Sequence, residues 1–159
     1  MTLTTLGTCL EETERCANGM TLAFWMKVSQ GQVARHPIVL SSSSISSYIK
    51  PITTGFWLRF NIQEGATRRI KYWRSKNILY DQWHLVAITY SAHSGPEFYL
   101  NGCPLVFGAP QPESYTRIAT NLVVGCNQTY RRCMSGYWDD LRFWTSKKDK
   151  HFIWTLWSA

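Results

Sequence analysis

No stretch of the 159-residue chain approaches the ~20 consecutive apolar residues that a membrane-spanning helix requires. The N-terminus, Met1-Thr2-Leu3-Thr4-Thr5-Leu6-Gly7-Thr8, has neither the basic start nor the apolar centre of a secretory signal. No internal repeat is evident. Acidic residues are scarce, 10 against 17 Lys plus Arg, which leaves a formal net charge of +7. That scarcity bears on catalysis. Hydrolysis of a glycosidic bond needs two carboxyl groups close enough to work on opposite sides of it. Glu64, Glu97 and Glu113 are isolated, and Glu11, Glu12 and Glu14 sit between two cysteines. Asp139 and Asp140 are neighbours on an expected strand, where successive side chains point to opposite faces. Gly-x-Ser-x-Gly, phosphate-cradling glycine loops and His-Glu-x-x-His are all absent. The chain reads as a non-enzyme.

Aromatic residues, by contrast, are abundant: eight Trp, eight Tyr and seven Phe. Such side chains favour pleated, half-buried surfaces, and at this length the chain can bury a substantial core. The stretch Trp83 to Val106 organises the rest. Leu85 to Tyr90 is uncharged and has the length and composition of a strand buried on both faces. His93-Ser94-Gly95-Pro96 turns the chain, and Phe98 and Leu100 then share a face. Asn101-Gly102 is a hairpin signal, because a type I′ turn needs positive φ at both central residues. Upstream, Leu22, Phe24, Met26 and Val28 alternate with Ala23, Trp25 and Lys27. Phe56, Leu58 and Phe60 likewise share one face. Ile38-Val39-Leu40 starts a strand, and the serine tract Ser41 to Ser47 reads as a solvated loop or edge. Residues 107 to 120, with Pro110 and Pro112, read as the longest irregular connection. On the last strand, alternation puts Tyr137, Asp139, Leu141 and Phe143 on one side. The tail from Ser146 to Trp157 suits one or two helical turns packing Phe152, Ile153 and Leu156.

Four motifs in order resemble the laminin-G-like, pentraxin-like branch of the concanavalin A-like lectin/glucanase superfamily. They are Gly19-Met20-Thr21-Leu22-Ala23-Phe24-Trp25-Met26-Lys27, Trp83-His84-Leu85-Val86-Ala87 with its return to Leu100-Asn101-Gly102, Leu122-Val123-Val124-Gly125, and Gly136-Tyr137-Trp138-Asp139-Asp140-Leu141-Arg142-Phe143. The resemblance implies an all-β fold, a two-sheet antiparallel jelly-roll sandwich, with residues 1–159 as one laminin-G-like domain. The Glu-x-Asp-x-x-Glu spacing of the glucanase relatives is missing. His84, following Trp83 in the family pattern, is expected to be a hydrogen-bonded structural residue. The family also normally has a strand before the Phe24-Trp25 strand, which little in this chain can supply. Together with the missing signal, that implies a fragment of a longer extracellular protein or an incomplete gene product.

The cysteines point to an oxidising setting. Cys9 and Cys16 bracket six residues, and so do Cys126 and Cys133. Two local bridges are the simplest reading, each worth about 2.5 kcal/mol on the chain-entropy model. Zinc sites usually space their cysteines by two to four residues. The first bridge would close an N-terminal loop over residues 1–19. Asn127-Gln128-Thr129 is a glycosylation sequon within the second loop. Cys103 is the odd cysteine, either free or paired with a partner that the sequence does not reveal.

Binding residues concentrate on one expected strand. Arg68, Arg69, Lys71, Arg74 and Lys76 lie within nine residues, interleaved with Tyr72 and Trp73. Lys147, Lys148 and Lys150 form a second cluster, and Arg131 and Arg132 sit in the cysteine loop. Cations beside rings suit polyanions, sulfated glycosaminoglycan first among them, through charge-assisted hydrogen bonds and stacking. Nucleic-acid phosphates would be drawn by the same charges, but the cysteine pairs and the sequon argue against that class. The expected partners are therefore glycans or extracellular matrix and cell-surface proteins, with no membrane insertion; a ligand-free spacer is the alternative. Calcium is the one cofactor that the resemblance raises. Its weak candidate ligands are Asp139 and Asn121, with no dense acidic loop around them.

Overall fold

The computed structural model of the chain describes residues 2–3, 15–31, 38–41, 45–64, 69–105, 111–113, 122–127 and 132–159. These residues form fourteen strands and one helix. The strands are β1 (Thr2–Leu3), β2 (Met20–Val28), β3 (Ile38–Ser41), β4 (Ile45–Ile52), β5 (Gly55–Glu64), β6 (Arg69–Arg74) and β7 (Trp83–Ser91). There follow β8 (Gly95–Leu100), β9 (Cys103–Pro104), β10 (Gln111–Glu113), β11 (Leu122–Val124), β12 (Cys126–Asn127), β13 (Arg132–Cys133) and β14 (Gly136–Trp144). Helix α1 (Lys150–Ser158) ends the chain.

Two antiparallel sheets result. The larger runs β1-β11-β3-β4-β5-β6-β10, with the β12–β13 hairpin attached to β3. The smaller runs β14-β2-β7-β8-β9. Between them lies the main core. Leu22, Phe24, Met26 and Val28 of β2 face Ile45, Ile49, Phe56, Leu58 and Phe60 of the larger sheet, all essentially inaccessible to water. Phe60 and Phe98 join the two layers ring to ring, with centroids 4.6 Å apart. Fully burying each of these large side chains contributes about 1.5–3 kcal/mol.

Strand β7 is buried on both faces from Leu85 to Tyr90, as its composition requires. Val86, Ile88 and Tyr90 enter the main core. Leu85 and Ala87 join Ala23, Tyr99 and Ile153 in a second cluster beneath α1, with Trp25, Phe152, Leu156 and Trp157 packed around them. The helix starts where the Asp149 carboxylate accepts the Phe152 N–H at 2.8 Å, an N-cap that satisfies one of the helix's orphan donors.

The β8–β9 turn has the expected positive φ at both central residues, 52° at Asn101 and 75° at Gly102. Asn101 Oδ1 accepts the Leu85 N–H at 3.0 Å, tying the turn to β7. A Cβ on Gly102 would stand 3.0 Å from the Trp154 ring and 3.1 Å from Trp157 Cβ. The turn therefore seats the helix as well as reversing the chain.

Four local expectations fail. Thr2–Leu3, within the expected N-terminal loop, adds a strand to β11 instead. Ser46 and Ser47 are buried inside β4, an interior strand, rather than solvated; small side chains fit between close-packed strands as readily as into loops. Gln111–Glu113 pairs with β6, Pro112 being tolerated because β10 is an edge strand. Finally, β14 changes register between Asp139 and Arg142, and Asp140 takes φ 48°. That extra residue reverses the alternation. Trp138 joins Leu141 and Phe143 against the core, while Tyr137 turns outward.

Gly102→Ala should lower stability by about 1–2 kcal/mol, since it puts a side chain on left-handed backbone and against the helix. A urea-unfolding midpoint unchanged from the parent would contradict the seating role of this turn.

Candidate functional site

The cation-rich strand is β6, and its register divides the charges. Arg69, Lys71 and Trp73 stand opposite Glu64, Ile62 and Phe60, on the parity of the core-facing Phe56, Leu58 and Phe60. Ile70, Tyr72 and Arg74 stand opposite Gln63, Asn61 and Arg59, on the other parity. Arg68 lies outside the described residues. Lys76 is exposed beyond the strand end. Its position is fixed by Ser75, whose Oγ accepts the Leu58 N–H at 2.9 Å and donates to the Lys76 carbonyl at 2.7 Å.

What the fold brings together is a different set. On the parity of the larger sheet opposite the core, where Tyr48 is itself buried, Arg74 is the register partner of Arg59, Arg59 that of Tyr48, and Trp57 that of Lys50. Lys50 Nζ lies 5.3 Å from the Trp57 ring centroid, an arrangement in which cation and ring attract. Lys50, Trp57 and Arg59 are absent from the site residues expected from the sequence. The inward alternation of Phe56, Leu58 and Phe60 is the signal that could have found two of them, because it leaves Trp57 and Arg59 outside.

The second cationic cluster is partly consumed by the fold. Lys147 Nζ donates to Glu97 Oε1 at 2.5 Å and to Ser94 Oγ at 2.6 Å. Tyr99 O–H donates to the other Glu97 oxygen at 2.9 Å. The Lys147 hydrogen bond, followed by smaller effects, holds the Glu97 carboxyl below its ordinary range, and burial with Glu97 pushes Tyr99 up to about 12. Thr21 Oγ1 donates to the Ser146 carbonyl and accepts the Lys148 N–H, locking this segment to β2. Lys147 therefore holds the helix connection in place rather than standing free.

Among the described residues, the two carboxylates of β14 are engaged locally. Asp139 Oδ1 accepts the Asp140 N–H at 2.8 Å, and Asp140 forms an ion pair with Arg142 at 2.6 Å. Asn121 lies outside the described residues. Among the described residues no three His, Cys, Asp or Glu side chains cluster as metal ligands.

Cys126 and Cys133 form a disulfide across the β12–β13 hairpin, where they are register partners. Asn127, the sequon residue, is the next position of that hairpin and pairs with Arg132. Cys16 is disulfide-bonded and buried; Cys9, its expected partner, lies outside the described residues. Cys103 is a free, exposed thiol. His84 is buried with both ring nitrogens engaged. Nε2 donates to the Leu79 carbonyl at 3.1 Å, and Nδ1 accepts from Asn101 Nδ2 at 3.3 Å. That neutral, doubly bonded ring is a structural element.

A laminin G family model, described as the concanavalin A-like lectin/glucanases superfamily, matches residues 6–151. The chain belongs to this superfamily. Among solved structures, this concanavalin A-like chain resembles the heptameric SAP-like pentraxin of Limulus polyphemus at 18% identity and TM-score 0.58, covering 89% of this chain and 70% of that one. It resembles the receptor-binding domain of a botulinum neurotoxin C/D mosaic at 14% identity and TM-score 0.65, covering 90% of this chain but 36% of the toxin domain. A Bacteroides ovatus protein provisionally assigned to carbohydrate binding matches at 14% identity and TM-score 0.62, over 87% of this chain and 40% of that one. No curated protein sequence matches the chain. At these identities the likeness is one of fold, and the chain spans well under half of the latter two structures. No helix among the described residues is long and apolar enough to cross a membrane.

Burial disfavours the charged imidazolium and holds the His84 pKa below its ordinary 6.5, against the opposing pull of its two hydrogen bonds. The unfolded chain takes up that proton near the ordinary value, the folded chain only at lower pH. Stability is thus complete above the ordinary value and declines as pH falls toward the lowered folded one. The urea midpoint should be lower at about pH 5.5 than at about pH 7, with a smaller difference in His84→Gln. Equal pH dependence in both proteins would assign the effect to another group.

Proposed function

We propose that this chain is a non-catalytic, extracellular recognition module whose ligands are anionic glycans. The carrying observation is the register of β4, β5 and β6. Lys50, Arg59 and Arg74 share one parity of the larger sheet with Trp57 among them. Guanidinium groups take sulfate or carboxylate oxygens in paired, charge-assisted hydrogen bonds, and a ring beside them offers a face to the sugar. The net charge of +7 adds long-range attraction for a polyanion.

Several findings support the setting. The Cys126–Cys133 bridge and the bonded Cys16 suit an oxidising compartment. A glycan on Asn127 belongs to the same reading. The Bacteroides ovatus protein and the toxin domain are described by carbohydrate and receptor binding, respectively, and share this fold. Two of the described carboxylates support a non-catalytic reading, because Glu97 is held by Lys147 and Tyr99, and Asp140 by Arg142.

Heparin chromatography tests the role and its location together. The oxidised protein should be retained above physiological salt, ~0.15 M, whether or not calcium is added. Lys50→Ala/Arg74→Ala should elute much earlier, while Arg69→Ala/Lys71→Ala should follow the parent. Early elution of the parent itself would mean a ligand-free spacer. Loss only in the Arg69→Ala/Lys71→Ala pair would move the site to the other parity.

A further inference from the structure

A second, differently charged surface lies on the outer face of the smaller sheet. Tyr137, Lys27 and Trp83 are register partners in one row across β14, β2 and β7. Trp83 is 42% exposed and Tyr137 62%, two of the four large apolar side chains exposed among the described residues. Their positions flank Lys27, yet their ring centroids approach to 6.4 Å at an interplanar angle of 47°. The two rings therefore lean together over the β2 strand between them. Neighbouring strands lie about 4.8 Å apart, so residues two strands apart reach each other only by such leaning.

The backbone beneath is constrained. A Cβ on Gly136 would stand 2.1 Å from the Lys27 carbonyl oxygen, so only glycine allows β14 to approach β2 this closely just before Tyr137. Ser29 N–H donates to the Ser135 carbonyl at 2.9 Å and fixes the same corner. In the next row, Asp139 stands opposite Trp25, whose ring stacks on Trp157 of α1 at 5.3 Å. The helix thus ends where the exposed row begins.

Charge decides the occupant. Among the described residues, no side chain forms a hydrogen bond or ion pair with the Lys27 ammonium or the Tyr137 hydroxyl. Asp139, also exposed, stands on the same face. One cation beside one carboxylate and two exposed rings offers too little positive charge for a densely sulfated chain. It matches a sugar with a single carboxylate, whose hydroxyls can donate to Asp139 while its C–H face lies on the rings. Exposed apolar side chains gathered around polar groups in this way mark binding surfaces.

We infer that Trp83, Lys27 and Tyr137 form a subsite for unsulfated, uronic-acid-bearing saccharides, separate from the cations of the larger sheet. The inference rests on the glycan-recognition role proposed above and specifies a second ligand class for it. Lys27 pairs with the uronate carboxylate, the two rings carry the pyranose face, and Tyr137 O–H reaches a ring or glycosidic oxygen.

Titration calorimetry with a hyaluronan octasaccharide, which carries carboxylates and no sulfate, tests it. The parent should bind. Trp83→Ala and Tyr137→Ala should each weaken binding by about tenfold, the scale of a lost aromatic contact, and Lys27→Gln by a similar factor. All three side chains lie outside the main core, and thermal unfolding checks that each variant is folded. Heparin retention should be unchanged in these variants, and hyaluronan binding unchanged in Lys50→Ala/Arg74→Ala. Absence of hyaluronan binding, or binding indifferent to all three substitutions, overturns the subsite. Equal affinity for neutral cellohexaose overturns the assignment to uronate. A parent that binds hyaluronan but not heparin keeps the subsite and removes the polyanion site, so the two readings fail separately.

Discussion

The structure depends on a strand that has water on neither side. β7 carries Val86, Ile88 and Tyr90 into the space between the sheets and Leu85 and Ala87 under the C-terminal helix. A sheet with one solvated face alternates apolar and polar residues; this strand cannot, because both of its faces are covered. Two consequences follow. The helix is a third layer of the fold, since removing it would expose Ala23, Leu85, Ala87 and Tyr99 together. The polar groups around β7 must also be satisfied internally, which explains why Asn101 bonds both the Leu85 backbone and the His84 ring.

Much of this was legible in the sequence. Leu85 to Tyr90, the Asn101-Gly102 turn, the alternations in β2 and β5 and the apolar residues of α1 each carry a local signal that the tertiary structure respects. The failures share a cause: they depend on what lies across the sheet rather than along the strand. Nothing in Ser46-Ser47 says that a strand flanks it on each side. Nothing local to Asp139-Asp140 announces a bulge, although the bulge decides whether Tyr137 or Trp138 faces the core.

The candidate sites were less legible for the same reason. Cations close in sequence on β6 alternate between two faces, so density along the chain overstates density on a surface. Lys50, Arg59 and Arg74 come together only through the β4–β5–β6 register, and Tyr137, Lys27 and Trp83 only through β14–β2–β7. Recognition surfaces on sandwiches run across strands, whereas sequence patterns run along them.

The bulge in β14 also matters for how the molecule meets copies of itself. β14 is the outer strand of the smaller sheet, pairing with β2 alone among the described residues. Nine residues of regular edge would present a row of open N–H and C=O groups, a template on which another chain could assemble. The kink at Asp140 breaks that row in its middle, and the Asp140–Arg142 ion pair sets two charges where an incoming strand would have to dock. An abundance of aromatic and β-branched sequence is thereby kept from propagating from one molecule to the next, and the half of the strand that carries Tyr137 is left short, twisted and accessible.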